Sequence, residues 1–245
     1  MKANIAAAFC WGSILGVLFA TAPAIHGNAV SSIAIRALVE RSDVIAIARI
    51  ENVAKIGEGT VSVNGSALHA DHMEAAARPS LVLKGNASPS MFKIEFALPF
   101  SPGGSLGYGT VSSQQTRLLF LKKGSDGHFA FTDPYYPSLP ATVKKSEQVG
   151  QPTQDGLSAR DIEMRVVAVE CSAIASQSSG PSERIEAIWA LQRRTDPCIQ
   201  NALLVAFSSP DQQLRLTAAA ALLRRNDTSV LSAAFQETNH LPMRS

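Results

Sequence analysis

Two periodicities divide the chain. Up to about residue 140, apolar residues alternate with polar ones or run in short β-branched blocks; beyond about residue 160 they recur at helical spacing. In the first region Val44-Ile45-Ala46-Ile47-Ala48-Arg49-Ile50 is apolar on both faces until Arg49, which predicts a strand in the middle of a sheet. Thr60-Val61-Ser62-Val63 alternates and runs into Asn64-Gly65, a hairpin signal; Gly57 and Gly59 read as a turn before it. Met73 to Ala77 has helical propensity in a β context, and Pro79 interrupts it. Leu81-Val82-Leu83-Lys84 and Met91 to Phe96 are two further strands, the second alternating apolar and charged residues. Arg117 to Thr132 is a hairpin: two apolar arms around Lys-Lys-Gly-Ser-Asp-Gly, whose glycines supply the positive φ a tight turn needs.

Turn signals between about six strands predict a small antiparallel β-barrel over residues 30–140. Residues 141–160 are rich in Lys, Gln, Ser, Gly and Pro and read as a linker. From residue 161 the stripe Ile162, Val166, Val169, Ala173 predicts a helix with Asp161 as its N-cap. Ser179-Gly180-Pro181-Ser182 ends it and a repeat begins: Arg184 to Asp196 aligns with Arg215 to Asp227, 31 residues on. Each copy is followed by a second helical segment, 199–207 and 229–235, which predicts a helical repeat stack over 161–245. The expected fold class is therefore α+β, a small antiparallel barrel followed by a short α-α stack.

The repeat resembles short HEAT-type units, in which an Arg opens the first helix, Ala positions let helices approach, and an Ala-Leu pair precedes polar residues and Asp at the turn. That resemblance implies a superhelical stack presenting a surface to another macromolecule, and no catalysis. On Ser42 to Ile47, Leu83 to Gly85 and Leu118 to Gly127, the β region is similar to the OB-like domain of netrin modules and tissue inhibitors of metalloproteinases. In those inhibitors an N-terminal cysteine chelates the protease zinc. The N-terminal cysteine here, Cys10, falls within a segment expected to be removed.

That segment changes the compartment. Met1-Lys2, the apolar run Ile5 to Ala20 and the small residues near Ala22-Pro23-Ala24 or Gly27-Asn28-Ala29 read as a signal peptide over residues 1–29, hence a secreted or periplasmic protein with no span after cleavage. Cys171 and Cys198 then remain as an even pair, and one disulfide between them is expected. Neither lies in a Cys-x-x-Cys or beside a His, so a catalytic thiol is not indicated. A net charge of +2 offers no field for nucleic acid.

Candidate chemistry is sparse. Gly103-Gly104-Ser105-Leu106-Gly107 satisfies Gly-x-Ser-x-Gly, but Pro102 precedes it and no helix start follows, so Ser105 reads better as part of a flexible loop. His69, Asp71 and His72, with Glu74 nearby, have metal-ligand spacing, yet on a strand His69 and Asp71 point one way and His72 the other. Arg193-Arg194 and Arg224-Arg225 occupy equivalent repeat positions, either as a basic ridge or as cations at helix C-termini. His128, past the hairpin turn, reads as solvated. The leading expectation is a non-enzymatic, exported interaction protein with a protein partner, no cofactor, and a contact face on the helices or the 99–109 loop. The alternatives are an envelope hydrolase using Ser105 or a metal at His69/Asp71/His72, and a secreted protease inhibitor.

Overall fold

A computed structural model describes residues 34–63, 65–85, 90–100, 110–124, 126–142 and 157–227. The signal-peptide segment 1–29, Ser105 with its loop, and the last expected helix at 229–235 lie outside them. In chain order come α1 (Ile35–Arg41), β1 (Val44–Val63), β2 (Ser66–Lys84), β3 (Phe92–Pro99), β4 (Thr116–Lys123), β5 (Phe129–Phe131) and β6 (Ser138–Pro140). They are followed by α2 (Ala159–Ala175), α3 (Pro181–Leu191), α4 (Pro197–Phe207) and α5 (Gln212–Leu223).

The expected antiparallel barrel is corrected. The six strands form one mixed sheet in the order β1-β2-β3-β5-β4-β6, with β1 also pairing β4, and β3 and β5 run parallel. Three features escaped the pattern. β1 and β2 are single long strands joined through the Val63↔Ser66 pair, because Gly57, at a register shift, and Gly59, in regular pairing with Ala70, are absorbed into the ladder and do not end it. Met73 to Ala77 are strand residues, since β1 pairs one edge of β2 and β3 the other, and that ladder overrides their helical propensity. Pro79 is accommodated at a register shift beside Ala48, where the Ser80 hydroxyl donates to the Ile47 carbonyl at 3.1 Å.

β1 decides the packing. Val44, Ala46, Ala48 and Ile50 face one cluster with Ala75, Ala77, Phe92, Ile94, Leu119, Leu121 and Phe129. Ile45 and Ile47 face the opposite way, into a second cluster with Leu118 and Phe120 of the sheet, Ile35, Leu38 and Val39 of α1, and the buried stripes of α2 to α5. The sheet and the helices therefore share one core. Helix α1 is clamped at its C-terminus by Lys84, whose Nζ donates to the carbonyls of Val39 at 2.6 Å and Ser42 at 2.5 Å.

Helix α2 starts at Ala159, two residues before the expected start. Ser158 is the N-cap, its hydroxyl accepting from the Asp161 N–H at 3.2 Å while the Asp161 carboxylate accepts from the Ser158 N–H at 3.1 Å, so Asp161 is the far member of a capping box. Helices α3 and α5 begin at 181 and 212, which preserves the 31-residue offset. Helix α2 packs on α3 and α4, and α5 on α3 and α4. The expected HEAT-like stack after an OB-like barrel is corrected accordingly: α1, α2 and α3 pack against one mixed six-stranded sheet. Each arginine pair divides: Arg193 and Arg224 are exposed, whereas Arg194 and Arg225 are half-buried. Arg225 donates to the carbonyls of Leu191 (3.1 Å) and Arg194 (2.5 Å), and Arg194 bonds Asp196 at 2.8 Å and also Glu163, so they stitch α2, α3 and α5 together.

Polar groups also cross the sheet–helix interface. Arg117 on β4 is buried, donates to the Ser138 hydroxyl at 3.0 Å and forms a two-pronged pair with Glu186 of α3 at 2.5 and 3.0 Å. Beside it Glu170 of α2 is fully buried, and neither carboxylate oxygen has a hydrogen-bond partner among the described residues. Burial, and secondarily the Glu186 charge, push its carboxyl well above the ordinary carboxylate value, while Arg117 offsets this in part. A raised folded-state pKa means that the native protein holds this proton where the unfolded chain has released it. The contribution to stability is complete below the unfolded value of 4.5 and is lost as pH rises towards the folded one. Glu170→Gln should therefore flatten the fall in urea midpoint between pH 6 and pH 9; an unchanged slope would show that Glu170 does not titrate in this way.

Candidate metal centre

The two arms of the Arg117 to Thr132 hairpin pair as expected, Leu121↔Phe131 and Lys123↔Phe129. The turn between them is tightly built. Gly127 takes φ +86°, and a Cβ on Gly124 would come within 2.9 Å of Asp126 Oδ1 and 3.0 Å of the His128 carbonyl oxygen. The Gly124 N–H donates to that carbonyl at 2.8 Å, and Asp126 Oδ1 accepts from the His128 N–H at 3.0 Å. This backbone bond is the chief reason the Asp126 carboxyl lies below its usual range. The result is a fixed exit from the turn that sets His128 beside β3.

Strand β5 meets β3 over two parallel pairs, Ile94↔Phe129 and Glu95↔Ala130. So short a contact is held by aromatic packing on either side of it. Phe92 and Phe129 meet edge to face with ring centres 5.0 Å apart, and Phe96 and Phe131 at 5.2 Å, each worth about 0.5–1.5 kcal/mol beyond area burial. On the opposite edge of β3, Glu95 is paired directly with Glu74 of β2. Cross-strand partners share a face, so Glu74, Glu95 and Ala130 form one row across three strands, with Lys122 of β4 continuing it opposite Ala130.

His128 closes this row. Its Nδ1 lies 2.5 Å from Glu95 Oε1 and 3.9 Å from Asp126 Oδ2. One donor atom each from Glu74, Glu95 and His128 lie within 4.8 Å of one another, and all three residues are half-buried. Two carboxylates and an imidazole make a donor set that suits zinc and similar divalent transition ions, since imidazole is a poor ligand for magnesium or calcium.

The residues singled out from sequence do not form this site. His69, Asp71 and His72 lie along β2 opposite Thr60, Glu58 and Gly57 and do not converge as a ligand set. Asp71 pairs with Lys55 at 2.5 Å, His69 stacks on Phe100 with ring centres 5.5 Å apart, and the His72 ring lies against Gly59. In sequence Glu74 stands out only as a neighbour of that trio, and His128 reads as solvated. Their convergence needs the β2–β3 register and the parallel β3–β5 contact, neither of which local sequence specifies.

The expected disulfide is likewise corrected, because Cys171 and Cys198 are free thiols. Cys171 is buried on α2 and Cys198 exposed at the start of α4. Burial raises the Cys171 thiol strongly, and a hydrogen bond to Cys198 raises it further.

No protein-family model, curated protein or solved structure matches the chain, so neither the HEAT-type nor the OB-like resemblance gains support from a relative.

The two thiols should differ in reactivity. Brief treatment of the native protein with iodoacetamide, followed by peptide mapping, should label Cys198 and spare Cys171 until denaturant is added. Equal labelling of both would contradict the burial of Cys171.

Proposed function

We propose that this is an exported, cation-dependent binding protein whose working centre is the Glu74–Glu95–His128 cluster. The observation that carries this reading is the convergence of the three donor atoms within 4.8 Å across three chain segments distant in sequence. Three protein donors leave coordination positions open, and an open position is what a bound ion needs to engage a further ligand. The contact-surface reading has weaker support: the exposed apolar side chains of the helices, Met164, Trp189, Leu204 and Val205, are distributed over α2, α3 and α4. An inhibitory reading draws on the OB-like resemblance, for which no relative stands.

Cation-assisted hydrolysis is the second reading. It draws on the same donor set and on Asp126, whose carboxylate lies 3.9 Å from His128 Nδ1 and could accept a proton. The proposed cation would supply Lewis acidity; the chain would supply its two carboxylates, the imidazole and their fixed spacing.

Zinc titration against a competing chromophoric chelator tests the site. Wild type should bind one equivalent, and Glu95→Gln and His128→Ala should each weaken binding at least tenfold. His69→Ala and His72→Ala should bind as wild type does. Absence of binding, or an equal loss in His72→Ala, would remove this reading. Zinc-dependent turnover of p-nitrophenyl acetate, lost in Asp126→Asn while zinc affinity is kept, would favour the hydrolytic version.

A further inference from the structure

The parallel contact between β3 and β5 ends at Glu95↔Ala130. Past that pair the strands have no further ladder bonds, and a seam opens between them. It contains a cavity of about 220 Å³ lined by Val61, Phe96, Ala97, Phe131 and Pro134 together with Glu95 and Ala130 of the last pair. The walls are apolar. Its polar rim is Glu95, which is also a member of the proposed cation site, so the two features adjoin.

We infer that the seam and the cation site together bind a carboxylate that carries a side-chain-sized hydrocarbon group, the hydrocarbon in the seam and the carboxylate on the cation. This rests on the cation-site reading. The size follows from the cavity, which is smaller than the roughly 300–1,000 Å³ of sites for drug-sized ligands. The apolar character follows from Phe96, Phe131, Val61 and Pro134, against which a hydrocarbon sheds water. The head follows from the ion's open position, which a carboxylate oxygen of the ligand takes in place of water. Lys122, an exposed cation in the same cross-strand row, adds positive charge on that face. The same chemistry occurs in a short branched acid and at the free C-terminus of a peptide ending in leucine.

Zinc binding is measured first, by itself. The zinc-loaded protein is then titrated calorimetrically with acetate, 4-methylpentanoate, acetyl-Gly-Gly-Gly and acetyl-Gly-Gly-Leu. The expected result is that each leucine-like ligand binds at least tenfold more tightly than its counterpart without the branched group. Removing zinc, or filling the seam with Ala97→Leu, should abolish that advantage. A tighter peptide than free acid assigns the site to chain termini, and the reverse to small acids. If zinc binds and the hydrocarbon group makes no difference in wild type, the seam assignment is overturned while the cation site stands. If zinc itself does not bind, the cation-site reading fails first. The wild-type comparison decides the matter even if Ala97→Leu does not fold.

Discussion

A strand that is apolar on both faces must be covered twice, and the structure depends on how β1 meets that demand. One face of Val44 to Ile50 is covered by the sheet's own strands, curved round so that Ala75, Phe92, Ile94, Leu119 and Phe129 meet over it. The other is covered by α1 and the helical layer. Burial of a large aliphatic side chain contributes about 1.5–3 kcal/mol. Ile45 and Ile47 therefore tie the helices to the sheet in one shared cluster, which explains why the two periodicities of the sequence do not correspond to two separate cores.

Polar groups are enclosed at that junction as well. Arg117 reaches out of β4 to Ser138 and Glu186, and removing one member of such a pair leaves a charge poorly solvated. Glu170 goes further, a carboxyl enclosed with no hydrogen-bond partner among the described residues, whose pKa burial raises. Arg194 and Arg225 use the same logic between helices, spending their donors on carbonyl ends and carboxylates of the neighbouring helix.

The candidate site depends on the weakest part of the sheet. Two parallel pairs and two aromatic contacts hold β5 against β3. A short parallel contact in an otherwise antiparallel arrangement leaves a seam where the strands part, and the seam is lined by the aromatic residues that hold the strands together. Site and cavity are thus consequences of one topological feature.

Local chemistry made much of the chain readable. Strand Val44 to Ile50, the hairpin joint at Gly65, the pairing of Lys123 with Phe129, and the 31-residue helical offset all appear where the sequence placed them, because period, turn residues and helix breakers act over a few residues. The turn chemistry around Gly124 and Gly127 also fixes the exit of His128. What the sequence could not determine is partnership across distance. Met73 to Ala77 became strand because two neighbours bonded to it; Cys171 and Cys198 came close without forming a disulfide; and Glu74, Glu95 and His128 met because of a register and a parallel pairing. Register flips every side chain with a one-residue slip, and it is set by burial of the whole face, so only the tertiary structure could bring those three side chains together.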